Sequence, residues 1–353
     1  MNKLNNSCLK LLCKYIDLDI INSLRLCSVH LNKIVGVYYF SSIIINLKKI
    51  NCENEHLFEK FFSKYRQILN IGSVENNEQL SYINNEYQFL TFTDDFNEQL
   101  YSLSPKLKYL TFGNNFNQPI NNLPKNLLYL KLGNKFNQSI DNLPNSLERL
   151  ILGEYFNQPI IVLPKLLTYL ELGLCFDKPI NFFNTSIKYL IFGENFNQPL
   201  NSTLLPNSLE YLKFGYWFNS PISSLPQTLK VLIFGHNFNQ DLCCLPSSLE
   251  YLKFGNNFNK KIKKNILSSL LKILIFGDNF NELVEEYPNS LRELKFGKNF
   301  NHFCVFPPNL KILILNYYLD SIILPNSLEH LTINNNCGRR ILPKSLKYLK
   351  IIK

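Results

Sequence analysis

The chain has 353 residues, 46% of them hydrophobic, 14% aromatic and 18% charged, which is enough to bury a large core and is not the composition of a disordered tail. Its net charge of +10, from 37 basic and 27 acidic side chains, permits an acidic or nucleic-acid partner, although a lysine-rich composition produces the same excess. No apolar run reaches the roughly 20 residues of a membrane span, and no C-x-x-C pair or Cys/His cluster has zinc spacing, so neither a membrane nor a metal or other cofactor is expected.

The first forty residues have helical spacing. Leu4, Cys8, Leu9, Leu12, Cys13 and Ile16 recur at three- and four-residue steps. A break at Asp17-Leu18-Asp19 comes next, with Asp19 placed to cap a second helix through Ile20, Ile21, Leu24 and Cys27. The stretch His30 to Val35 would begin a third. The segment starts without a small-residue cleavage pattern and has a lysine inside its apolar part, so a signal peptide is not expected. Three short helices can serve simply as a cap for the rest of the chain. They can also be a docking module, because "YIDLDIINSLRLCSVHLNKIV" resembles an F-box, with Tyr15, Ile16, Asp17, Ile21, Leu24 and Leu31 on that family's positions. The chain departs from the family at Asn5, where a Pro is usual, at Ile20, where an acid is usual, and at Cys27-Ser28. The resemblance implies a Skp1-like adaptor docked on Leu4, Leu9, Leu12, Tyr15, Ile16, Leu24 and Leu31.

Residues 41–86 read as two strands, "SSIIINL" and "QILNIG", around an amphipathic helix, "HLFEKFFSKYRQ". Their apolar content is too high for a free linker, and a cap for a repeat array is the expectation.

From there one phrase returns. Taking the Phe of each "FN" or "FD" as marker, it falls at 96, 116, 136, 156, 176, 196, 218, 238, 258, 280 and 300, in steps of 20 residues with two of 22. A fixed period of this length predicts a solenoid. The unit is L-x-x-L-x-[FL]-G-x-x-F-N-x-x-[IL]-x-x-L-P. Its L-x-F segment alternates and predicts a short strand. The Gly, at 113, 133, 153 and on to 297, predicts a tight turn with either positive φ or a close backbone approach. The Pro of "LP" forbids a helix in the return arm. The recurring Phe predicts a stacked spine, and the Asn after it (Asp only at 177) a ladder that satisfies backbone groups at a corner. Residues 306–353 keep the L-x-x-L-x-L frame without the Phe-Asn. About 14 strands at ~4.8 Å would then make an arc of roughly 65 Å.

The "GNNFNQPI" core with its "LPxSLxxLxFG" continuation resembles the FNIP repeat family, a relative of leucine-rich repeats, over about residues 87–305. That resemblance implies a non-enzymatic interaction protein. The expected class is α+β: an F-box-like helical domain over 1–40, a connecting cap over 41–86, parallel-stranded leucine-rich-repeat-like coils over 87–305, and degenerate coils over 306–353.

Two outward positions flank each buried Leu. The first carries Tyr109, Tyr129, Arg149, Tyr169, Tyr189, Tyr211 and Tyr251, an amphipathic stripe of a residue type favoured at interfaces. The second alternates apolar residues with Lys131, Lys213 and Lys253, and could grip a partly apolar, acidic target protein. Neighbouring strands packing their own tyrosines would produce the same stripe. The cluster Asn259 to Asn265, "NKKIKKN", has no accompanying aromatic-basic motif, so it reads as a solvated face and nucleic acid is not the expected partner. The five histidines are unpaired from repeat to repeat, and no phosphate loop or nucleophile elbow occurs, so no enzyme is expected. Nine scattered cysteines fit free thiols in a reducing compartment, cytoplasmic or nuclear. The joint expectation is a substrate receptor of a cullin-type ubiquitin ligase. An interaction scaffold with no ubiquitin link is the alternative.

Overall fold

A computed structural model describes Asn77 and residues 88–352, apart from 101–102, 183–184, 243–244, 303, 316–322 and 335–341. Fourteen short strands lie in chain order in one sheet: β1 (Phe89–Thr91), β2 (Tyr109–Thr111), β3 (Tyr129–Lys131), β4 (Arg149–Ile151), β5 (Tyr169–Glu171), β6 (Tyr189–Ile191), β7 (Tyr211–Lys213), β8 (Val231–Ile233), β9 (Tyr251–Lys253), β10 (Ile273–Ile275), β11 (Glu293–Lys295), β12 (Ile312–Leu315), β13 (His330–Asn334) and β14 (Tyr348–Ile352). Each pairs in parallel with the next, and equivalent repeat positions face one another, as in Leu110 opposite Leu130 and Leu130 opposite Leu150. The repeat period therefore sets the register, since a one-residue slip would turn every central Leu out of the core.

The α+β class is corrected by this arrangement. The described residues form a parallel, leucine-rich-repeat-like β-solenoid with no helical element. Helical spacing occurred only in residues 1–40 and in "HLFEKFFSKYRQ", and both segments lie outside the described residues. In the coils the return arm is a turn leading into extended chain. The Leu127 N–H, for example, bonds the Pro124 carbonyl at 3.1 Å, and the prolines remove the donors a helix would need.

Each coil closes over a core of stacked columns. The central Leu of β2 through β12 is fully buried, as is the Leu three residues before it in most coils. The marker Phe is buried in all eleven copies, Phe96 to Phe300. Its rings stack at 5.9–6.3 Å from coil to coil, wider than the ~4.8 Å between strands. The rings are thus offset from one coil to the next, as are the tyrosine rings on the strands, spaced 6.1–6.3 Å.

The Gly column is explained by close approach. A Cβ added to Gly173 would lie 1.7 Å from the Gly153 carbonyl oxygen, and one on Gly133 would lie 1.8 Å from that of Gly113. Only hydrogen lets successive backbones stack at this corner.

The Asn column forms an unbroken chain. The Asn117 N–H donates to Asn97 Oδ1, the Asn137 N–H to Asn117 Oδ1, and so on through Asn301 onto Asn281, all at 2.8–3.0 Å. Asp177 fits because the ladder asks this side chain to accept, and its Oδ1 does so from the Asn197 N–H at 3.0 Å. A second ladder runs through the "SL" hydroxyls: Ser146, Ser248 and Ser290 donate to the carbonyls of Leu127, Leu229 and Leu271 at 2.6–2.7 Å. These two columns satisfy backbone groups where no strand ladder exists.

Candidate functional site

A three-residue strand offers two side chains to the outward face of the sheet, one before and one after the buried Leu. Side chains from both positions gather into a hydrophobic cluster separate from the core. Tyr109, Tyr129, Ile151 and Tyr169 are its buried members, with Phe89, Tyr189 and Ile191 packed at its margins. Rings on adjacent strands meet directly: Tyr109 and Tyr129 at 6.3 Å, Tyr169 and Tyr189 at 6.3 Å, Tyr189 and Tyr211 at 6.1 Å, all tilted.

Arg149 occupies the break in the tyrosine stripe and is itself only 6% exposed. Its guanidinium lies 3.7 Å from the Tyr169 ring centre and 6.0 Å from that of Tyr129, so a cation–π contact continues the stack where the aromatic run is interrupted. The Tyr169 hydroxyl donates to Glu171 Oε2 at 2.8 Å. Burial, reinforced by the charge of Glu148, pushes the Tyr109 phenol up to about 12, so it stays neutral at physiological pH.

The stripe is uneven. Tyr109, Tyr129, Arg149 and Tyr169 are buried in the protein's own packing, whereas Tyr189, Tyr211 and Tyr251 remain half-buried. At the second position Lys131 is half-buried while Lys213 and Lys253 are exposed. Over β7 to β10 the rows read Tyr211 with Lys213, Val231 with Ile233, Tyr251 with Lys253, and Ile273 with Ile275. Every second strand thus presents a phenol and an ammonium, and an apolar pair lies between. Two lysines on alternate strands stand about 10 Å apart.

The lysines on this face differ from those beside it. One position before each strand a charge ladder is internally neutralised: Lys188 and Lys230 flank Glu210 at 3.3 and 2.8 Å, and Lys311 and Lys347 flank Glu329 at 2.9 and 2.6 Å. Lys347 and Lys311 hold the Glu329 carboxyl at about 2, and Lys230 with Lys188 lowers that of Glu210. Lys295 is paired with Glu293 of its own strand at 2.7 Å. Among the described residues no carboxylate lies within ion-pair distance of Lys213 or Lys253.

Sequence reasoning placed the stripe and its neighbours but not their division into a self-packed half and an open half. It also missed the charge ladder, although the alternation Lys188, Glu210, Lys230, Glu250, Lys272 was visible at one repeat position. The adaptor-docking residues Leu4, Leu9, Leu12, Tyr15, Ile16, Leu24 and Leu31 lie outside the described residues. Among the described residues no group of His, Cys, Asp and Glu is placed to hold a metal ion.

Comparison with known proteins agrees with this architecture. The chain is similar to CroV588, a solved circular leucine-rich-repeat protein, at 38% identity with a TM-score of 0.67, covering 78% of this chain and 48% of that one. It thus spans about half the length of that protein. A weaker likeness links it to YopM from Yersinia enterocolitica, at 24% identity and a TM-score of 0.45, over 76% of this chain and 65% of that one. No curated protein matches. The FNIP Repeat model matches residues 96–135, 136–175, 176–216, 218–257 and 258–286, more than half of the chain. The protein is a repeat solenoid of leucine-rich-repeat type, an architecture typical of protein–protein interaction, and it belongs to the FNIP repeat family.

Proposed function

We propose that the chain binds a partner protein on the outward strand face, centred on β7 to β10, and carries out no chemistry of its own. The carrying observation is the pair of exposed lysines, Lys213 and Lys253, set among half-buried tyrosines and apolar residues. The partner that fits is an acidic segment with interspersed apolar side chains. Its carboxylates would meet the lysines, and its apolar side chains would cover the Val231–Ile233 and Ile273–Ile275 rows. Tyrosines held in place by their neighbours lose little freedom on binding, which favours affinity. The self-packed tyrosines of β2 to β5 act as the rigid support of this surface.

The test is selection from a displayed random-peptide library on the full chain and on a Lys213→Glu/Lys253→Glu variant. Enrichment of acidic, apolar-interspersed peptides by the parent chain, lost in the variant, supports the reading. Peptides without acidic residues, or equal binding by the variant, overturn it.

The finer proposal is that this receptor presents its partner to a cullin-type ubiquitin ligase through a Skp1-like adaptor, in the cytoplasm or nucleus. Its support is the likeness of residues 4 to about 40 to an F-box. A purified adaptor retained by the full chain and lost with Leu12→Asp/Leu24→Asp would bear it out. With no retention, the interaction scaffold stands without the ubiquitin link.

A further inference from the structure

The Phe-Asn corner holds a groove that the strand face does not explain. It is an open, largely polar trough of about 660 Å³. Trp217, the chain's one tryptophan, stands at one end and is 54% exposed.

One wall is the main ladder, Asn219, Asn239 and Asn259. Each side-chain oxygen there is occupied by the N–H of the next coil. Among the described residues their Nδ2 groups donate to no protein atom, so the wall offers one amide donor per coil. The facing wall is a second, shorter ladder, in which Asn257 Nδ2 donates to Asn237 Oδ1 at 2.9 Å and Asn279 Nδ2 to Asn257 Oδ1 at 3.0 Å. Each of those oxygens keeps a lone pair for a further donor. The ladder continues through Asn299 Nδ2 onto Asn279 Oδ1 at 3.3 Å and recurs at Asn115 Nδ2 onto Asp95 Oδ1, whereas Lys135, Tyr155 and Cys175 interrupt it between, and only here does its column carry a tryptophan.

Trp217 is held in place. Its ring meets Tyr216 edge-on at 4.9 Å, and Tyr216 in turn stacks flat on His236 at 4.4 Å. A rigid exposed indole next to a groove lined only by neutral amides suits a ligand that is itself neutral, rich in hydroxyls and apolar on one flat face. A charged polymer is disfavoured because no side chain lining the groove is charged.

We propose that this groove binds a neutral, extended β-linked oligosaccharide, one sugar stacked on Trp217 and the hydroxyl or acetamido oxygens of the next sugars accepting from Asn219, Asn239 and Asn259. It is independent of the strand-face reading, so Lys213→Glu/Lys253→Glu should leave it intact.

The test titrates the full chain with cellohexaose and with chitohexaose and follows the emission of Trp217, which reports from the site without a label. A saturable shift with either sugar is expected. Trp217→Ala, read by calorimetry, should weaken binding at least tenfold. Asn239→Asp keeps the ladder acceptor, as Asp177 does naturally, but removes the donor, and should weaken binding at least threefold without lowering the melting temperature. No saturable shift and no heat with either sugar at millimolar concentration overturns the proposal. So does binding that survives Trp217→Ala, or a shift produced by single-stranded oligothymidylate but by neither sugar.

Discussion

Replacing Asn137 in two ways separates the ladder's acceptor role from everything else the amide does. In the structure Asn137 Oδ1 accepts the Asn157 N–H at 2.9 Å and Gln158 Nε2 at 3.2 Å, in a partly buried corner. Asn137→Ala removes both acceptances and leaves the Asn157 N–H facing a methyl group. An unsatisfied donor of this kind costs about 1–3 kcal/mol. Asn137→Asp keeps the acceptor and makes it charged, and charged acceptors form the stronger bonds. It should fall within about 0.5 kcal/mol of the parent, as substitutions that break no buried feature do. Urea unfolding of the full chain gives the comparison, with an unchanged slope required before midpoints are converted. Because each coil touches only its neighbours, the loss should be local, and amide exchange at Asn157 should accelerate more than exchange at Asn259. Equal destabilisation by Asp and Ala would refute the acceptor argument and shift the weight to the amide nitrogen or to neutrality. An Ala variant as stable as the parent would leave the ladder with no role in stability.

Gly173→Ala should be among the most damaging single-methyl additions, since the new Cβ would stand 1.7 Å from the backbone oxygen of Gly153 and no side chain can move aside. The cost expected is about 3 kcal/mol or more by chemical unfolding, and a value below about 1 kcal/mol would mean the coils separate more easily than their stacking implies. The last coils should be acid-labile. Glu329 ionises in the fold at about 2 against an ordinary 4.5, with the Lys347 and Lys311 hydrogen bonds as the leading causes. A depressed carboxylate contributes stability that is complete above the unfolded value and is lost as pH falls from about 4.5 towards 2. Amide exchange in β13 and β14 should accelerate across that window, and Glu329→Gln should flatten the dependence. An unchanged profile in the variant would place the acid lability elsewhere.

Whatever recurs once per coil was legible in the residues alone. The period, the in-register parallel pairing, the buried Leu and Phe columns and the Asn ladder are of this kind, because a side chain placed at the same point of every coil can only meet its own copies. The Gly column left two explanations open, and only the stacked backbones chose close approach over positive φ. The α+β expectation failed for the described residues because helical periodicity was confined to segments that lie beyond them, while the Pro-punctuated return arms leave no length for a helix. How the tyrosine stripe divides was settled by tertiary packing. Identical letters at Tyr129 and Tyr211 differ in burial because exposure depends on what the neighbouring strands carry: Arg149 lies over Tyr129, whereas Tyr211 has Val231 beside it. Among the described residues the same packing leaves Lys213 and Lys253 facing outward without a carboxylate while Lys188 and Lys230 share one. A repeat specifies columns, but which column stays open is settled by contacts between non-identical neighbours.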